Sequence, residues 1–110
     1  MATTNRVKAV PLTSIASSSV SGSYAVINTS GLPNACFLIR INNASNQAVT
    51  ISYDGSTDHD YLAANTALTL DFQANAQPNA FMSLLGAGTK VYVKGTGGTG
   101  TISLSGYYLL

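Results

Sequence analysis

The sequence predicts an all-β chain: a single-domain β-sandwich, jelly-roll-like, of about eight short antiparallel strands. Three observations predict it. The exposed positions must be filled from 13 Ser, 12 Thr, 9 Asn and 10 Gly, because there are five Lys or Arg, four Asp and no Glu. Those residues compete for backbone hydrogen bonds or cost entropy in a helix, whereas strands accept Thr and turns use Asn, Gly and Ser. Apolar residues alternate with polar ones in short runs about ten residues apart, punctuated by turn signals, which is the grammar of sandwiches and jelly rolls. No window carries a long apolar stripe at helical spacing. A length of 110 residues holds one domain with a core of its own.

In chain order, residues 1–10 read as an N-terminal arm with the first strand, and 11–110 as the sandwich. The polar start MATTN (1–5) is a frayed end, and a first strand covers residues 7–12, broken off by Pro11. The serine-rich stretch 14–23 reads as a loop entering a strand over 23–29, with Tyr24 and Val26 on one face and Ala25 and Ile27 on the other. GLPN (31–34) is a turn. A central strand follows over 36–42, with Phe37, Ile39 and Ile41 inward, and NNASNQ (42–47) reads as turn-rich. Val49, Ile51 and Tyr53 alternate with Thr50 and Ser52, the clearest one-face-buried strand. A short strand DYLAA starts at Asp60, and Leu62, Ala63, Ala64 and Ala67 allow at most a helical turn. Leu68, Leu70 and Phe72 form another alternating set. AQPNA (76–80) breaks the pattern, 81–85 is a short strand, and GAGT (86–89) is a turn. Val91 and Val93 point one way, Lys90, Tyr92 and Lys94 the other. GTGGTG (95–100) is a flexible hairpin connection, since the helix that a phosphate-cradling loop needs does not follow it. Ile102 and Leu104 alternate in the last strand, and Tyr107, Tyr108, Leu109 and Leu110 either complete the core or dock into a neighbouring subunit.

The segment DGSTDHD (54–60) holds the most chemistry. It contains Asp54, Asp58, Asp60 and the single histidine, His59. Asp54–Gly55 directly after a strand is a turn signal: Gly takes the positive φ and Asp caps the backbone. The alternative is a metal site. Asp58 and Asp60 have the i, i+2 spacing of calcium loops and Asp54 could lean in, but no Glu exists to close such a loop. One His and one Cys cannot complete a zinc site unless His59 is shared across a symmetry axis. A hydrolase needs a nucleophile, a base and an orienting group, and carboxylates beside His59 favour its imidazolium over a buried base. The segment therefore reads as a solvent-facing connection, with no catalytic, cofactor-binding or metal role, and the chain as not an enzyme.

Charge excludes other classes. Arg6, Lys8, Arg40, Lys90 and Lys94 are too few for phosphate-driven nucleic-acid binding. A net charge of +1 keeps a free monomer poorly in solution and favours assembly into a homo-oligomer. Cys36, in the apolar run ACFLIRI, reads as a buried small hydrophobe with no disulfide partner. The start MATTNRVKAVPLTS lacks the pattern of a signal peptide and no run is long enough for a membrane span, so the expectation is an intracellularly made, soluble chain. The sequons at Asn28 and Asn43 are then chance matches.

Four phrases together resemble small structural proteins of tailed bacteriophages: SYDG (52–55), TDHDYL (57–62) leading to LDF (70–72), GTKVYVKGT (88–96) and a closing GYY (106–108). The resemblance covers residues 35–110 and leaves 1–34 to serve as an arm. It implies a virion component made in the bacterial host cytoplasm: a capsid decoration, or cement, protein that trimerises and bridges neighbouring major capsid subunits. Related roles are a neck, tail or fibre-base part, or a virion glycan- or receptor-binding module presenting DGSTDHD with Tyr53 and Tyr61.

Overall fold

A computed structural model describes residues 7–72 and 85–109, and the expectations for MATTN, for AQPNA and for most of the strand over 81–85 lie outside them. Nine strands are described: β1 (Val7–Ala9), β2 (Thr13–Ala16), β3 (Ala25–Val26), β4 (Leu38–Ser45), β5 (Val49–Ser52), β6 (Asp60–Leu62), β7 (Thr66–Asp71), β8 (Tyr92–Gly95) and β9 (Gly100–Leu109). A 3-10 turn, Ser17–Ser19, follows β2.

The pairing is nested and antiparallel throughout. β2 pairs with β9, β3 with β8, β4 with β7 and β5 with β6, as in one long hairpin folded at the β5–β6 loop. Rolling that hairpin adds β4–β9 and β5–β8 and yields two sheets, β2-β9-β4-β7 and β3-β8-β5-β6. Two four-stranded sheets wound in this way are a jelly roll. The chain is an all-β sandwich, and β1 is an addition that pairs with the far end of β9.

The alternation read from the sequence sets what each strand buries. Ile39 and Ile41 of β4, Val49 and Ile51 of β5, Val93 of β8, and Ile102 and Leu104 of β9 meet between the sheets, joined by Val91, Leu62, Cys36 and Ile27. β-Branched side chains dominate this layer because they fit a pleated surface without losing rotamer freedom. Cys36 is fully buried, as expected, and desolvation raises its thiol pKa.

The structure corrects four boundaries. The strand expected over 7–12 is two strands: Val10 still donates to Gly106 O at 2.9 Å, but Pro11 has no N–H to give, and the ladder resumes at Thr13. Ser14 to Ala16 are therefore strand, not loop, because Ile15 pairs with Ile102 and packs on the core. The strand expected over 23–29 keeps only two residues in the ladder, although Ile27 is buried and donates to Val91 O at 2.8 Å. The turn expected over 42–47 starts later: β4 runs to Ser45 and turns Asn43 and Ser45 inward. Asn43 Nδ2 donates to Gln47 O at 2.9 Å and Ala63 O at 3.1 Å, and its Oδ1 accepts from Ser45 N at 3.2 Å and Ser45 Oγ at 2.5 Å. A polar residue at an inward position is stable there because the crossover and the β6–β7 turn offer it carbonyls.

GTGGTG is also not a hairpin connection, since it carries the chain from β8 in one sheet to β9 in the other. It lies flat on its neighbours. Gly98 donates to Ser17 O at 3.3 Å, Thr99 donates to Asn46 Oδ1 at 2.9 Å, and a Cβ on Gly97 would sit 3.0 Å from Val20 O. The glycines are there for close backbone approach.

Candidate functional site

The candidate site is the outer face of the β3-β8-β5-β6 sheet together with the loop that bends over its end. The loop starts where β5 stops. Ser52 is buried, and its Oγ accepts Gly55 N–H at 2.9 Å and donates to Asp54 Oδ1 at 2.9 Å. Asp54 Oδ1 in turn accepts the N–H groups of Ser56 at 2.8 Å and Thr57 at 2.9 Å. Gly55 takes φ 78°, so the turn read from Asp-Gly forms as expected. The two backbone donors, Ser56 first, hold the Asp54 carboxyl well below the usual carboxylate range. The chain returns to the ladder when His59 donates to Ile51 O at 2.8 Å.

His59 is placed differently from expectation. Asp58 and Asp60 flank it in sequence, yet the carboxylate near its ring is Asp54, with Oδ2 3.8 Å from Nε2. Its Nδ1 accepts the Tyr53 N–H at 3.0 Å, and its ring stacks on Tyr53 with centroids 5.4 Å apart. The histidine works as a clasp on the loop.

The three carboxylates do not converge. Asp54 serves its own loop. Asp60 accepts the Tyr53 hydroxyl at 2.6 Å, and burial, then this bond, raise the Tyr53 pKa. Asp58 pairs with Lys94 Nζ at 2.8 Å and accepts the Tyr24 hydroxyl at the same Oδ1. That arrangement lowers the Asp58 pKa, chiefly through Lys94, and raises those of Lys94 and Tyr24, chiefly through Asp58. Among the described residues no three His, Cys, Asp or Glu side chains gather where they could hold a metal ion.

Asp58 instead ties the loop to the sheet. Val93, Ile51 and Val49 point inward, so Tyr92, Lys94 and Thr50 point out. Tyr61 lies opposite Thr50, and Thr50 opposite Lys94. Lys94 Nζ sits 4.7 Å from the centre of the Tyr24 ring, a cation–π contact, and Tyr24 meets Tyr92 edge-on at 6.4 Å. One transverse row therefore reads Tyr61, Thr50, Lys94, Tyr24. Tyr92 flanks it in the next row, with the Gly55 backbone over its ring: a Cβ on Gly55 would lie 3.0 Å from Tyr92 Cζ. Tyr61 is 71% exposed.

The sequence drew attention to the loop acids and to Tyr53 and Tyr61, but not to Tyr24, Tyr92 and Lys94 as one group. The alternations Tyr24-x-Val26 and Tyr92-x-Lys94 were legible; the β3–β8 pairing that joins them was not.

A second exposed feature lies on the other sheet. Val7, Lys8 and Ala9 of β1 pair with Leu109, Tyr108 and Tyr107, yet all three are exposed. Tyr107 lies opposite both Ala9 and Leu38, so these share the outer face. Val7 is 59% and Leu12 66% exposed. Of the two closing tyrosines, Tyr108 packs against the core and Tyr107 is exposed.

No protein-family model, curated protein or solved structure matches this chain.

Proposed function

We propose that the protein is a bacteriophage virion structural protein, a capsid decoration or cement protein that bridges major capsid subunits as a homotrimer. The carrying observation is β1, a strand held on β9 by its backbone while its side chains remain uncovered and largely apolar. Soluble monomers rarely leave apolar side chains grouped at one sheet end, and such groups mark interaction surfaces. Residues 1–10 then act as the arm and Val7, Leu12 and Tyr107 as its contacts.

The mechanism is burial. Each square ångström of apolar surface covered contributes about 25 cal/mol. Three arms on one trimer multiply that through effective concentration. Jelly rolls occur among viral capsid domains, which is an analogy of fold and supports the reading only as such. In this reading the protein performs no chemistry, and neither nucleic acid nor membrane is a partner.

The test is a chain lacking residues 1–9. It should fold, because β2 continues to cover the core half of β9. Native mass spectrometry and sedimentation with arm-stripped and intact protein on purified capsids should show the intact chain bound as trimers and the truncated chain free. Equal binding by both would reject the arm as the anchor.

A further inference from the structure

We infer that the outer face of the β3-β8-β5-β6 sheet is a binding site for an uncharged saccharide. The inference is independent of the virion reading, which rests on the opposite sheet. Three features carry it.

The first is aromatic placement. Tyr61 and Tyr24 stand at the two ends of one row, three strand spacings of about 4.8 Å apart, hence roughly 14 Å. Tyr92 lies beside that row. Sugar rings present C–H-rich faces, and these pack on the negative faces of aromatic rings, here on exposed Tyr61 and on the sides of Tyr24 and Tyr92 that Lys94 and Gly55 do not cover. The span suits a short oligosaccharide lying across the strands.

The second is the polar complement. Between the tyrosines lie Thr50, Lys94 and Asp58. The bonds from Lys94 and Tyr24 both fall on Asp58 Oδ1, so Oδ2 is the oxygen to which a sugar hydroxyl would donate. Lys94 has further N–H donors beyond the one given to Asp58. A carboxylate acceptor beside an ammonium donor matches the alternating donors and acceptors of vicinal hydroxyls. Asp54, Asp58 and Asp60 outnumber Lys94 around this face, so it has no field to recruit a sulfated or sialylated polymer.

The third is preorganisation. Tyr24, Lys94 and Asp58 already hold one another through the hydroxyl bond, the ion pair and the cation–π contact, and Gly55 backs the Tyr92 ring. Binding therefore orders few rotamers, and weak individual contacts are not spent on fixing side chains.

The experiment uses the full chain on an array of neutral, sialylated and sulfated oligosaccharides. An isotope-edited NMR titration with the strongest neutral binder follows. The expected result is binding confined to neutral glycans, with amide shifts at Thr50, Asp58, Tyr61, Tyr92 and Lys94. Tyr61→Ala should weaken it roughly tenfold, and Tyr92→Ala at least as much. Tyr61 is exposed and has no core role, so Tyr61→Ala should melt like the parent and separate lost binding from lost fold. Three results would overturn the inference: no neutral glycan binding at millimolar concentration, preference for charged glycans, or shifts that map away from this face. Unchanged affinity in the melting-competent Tyr61→Ala chain would overturn it as well.

Discussion

Replacing Asn43 by Ala should cost the protein about 3 kcal/mol. Its amide makes two well-formed donor bonds, to Gln47 O at 2.9 Å and Ala63 O at 3.1 Å. Its Oδ1 accepts from Ser45 at two atoms. Of these four bonds the Ser45 hydroxyl can replace its own by turning to Gln47 O, so three are lost, and at about 1 kcal/mol each they give the figure. Of the carbonyls it leaves behind, Gln47 O lies 3.0 Å from the Ser45 hydroxyl that Asn43 releases, and Ala63 O keeps Thr66 Oγ1, so full desolvation penalties do not add. In a domain of this size 1 kcal/mol moves the midpoint by about 4 °C, so the melting temperature should fall by roughly 12 °C. Asn43→Asp should cost more than Asn43→Ala at neutral pH, because it turns a negative oxygen toward two carbonyls inside the sandwich. Asn42→Ala, one residue back on the outward face, should stay within about 0.5 kcal/mol. Urea unfolding of the three variants measures this, with equal m-values as the check on two-state behaviour. An Asn43→Ala chain as stable as the parent, or an Asn42→Ala chain equally damaged, would refute the reasoning that this side chain fastens the β4–β5 crossover to the β6–β7 turn.

Other outcomes follow from the loop. Gly55→Ala should lose about 1–2 kcal/mol from the positive φ alone and push the Tyr92 ring, whereas Gly22→Ala, with open space around it, should melt like the parent. Asp54 has a folded pKa below its unfolded value of about 4, so its contribution is present above that pH and disappears as the pH falls through the lower folded value. Carboxyl-carbon NMR should show Asp54 titrating after ordinary aspartates on acidification, and Asp54→Ser should remove that part of the acid sensitivity. Tyr53→Phe leaves Asp60 without its hydroxyl donor and should loosen the hairpin, seen as faster amide exchange at His59.

How much of this was legible in the sequence depends on the range of the interaction. Ile39, Ile41, Val49, Ile51, Val91, Val93, Ile102 and Leu104 were placed inside by alternation alone, because strand periodicity is local. The Asp54-Gly55 turn was legible for the same reason. Asn43 was misread because an Asn-rich run resembles a turn, and only carbonyls 4 and 20 residues away make its inward placement favourable. Ser14 to Ala16 were misread because serine has no strong strand preference, while pairing with β9 supplies one. His59 was read from its neighbours in sequence, but β5 and β6 bring Asp54 and the Tyr53 N–H to its ring instead. The aromatic row was hidden because Tyr24 and Lys94 are 70 residues apart and meet only after the jelly roll is wound.

The central proposal, that this jelly roll acts by covering a shell with its arm, is tested most directly by counting it. Quantitative mass spectrometry of purified phage particles should find the chain in fixed ratio to the major capsid protein, and the chain lacking residues 1–9 should be missing from otherwise complete particles. Particles that contain none of the intact chain, or that take up the shortened chain equally well, would contradict the account.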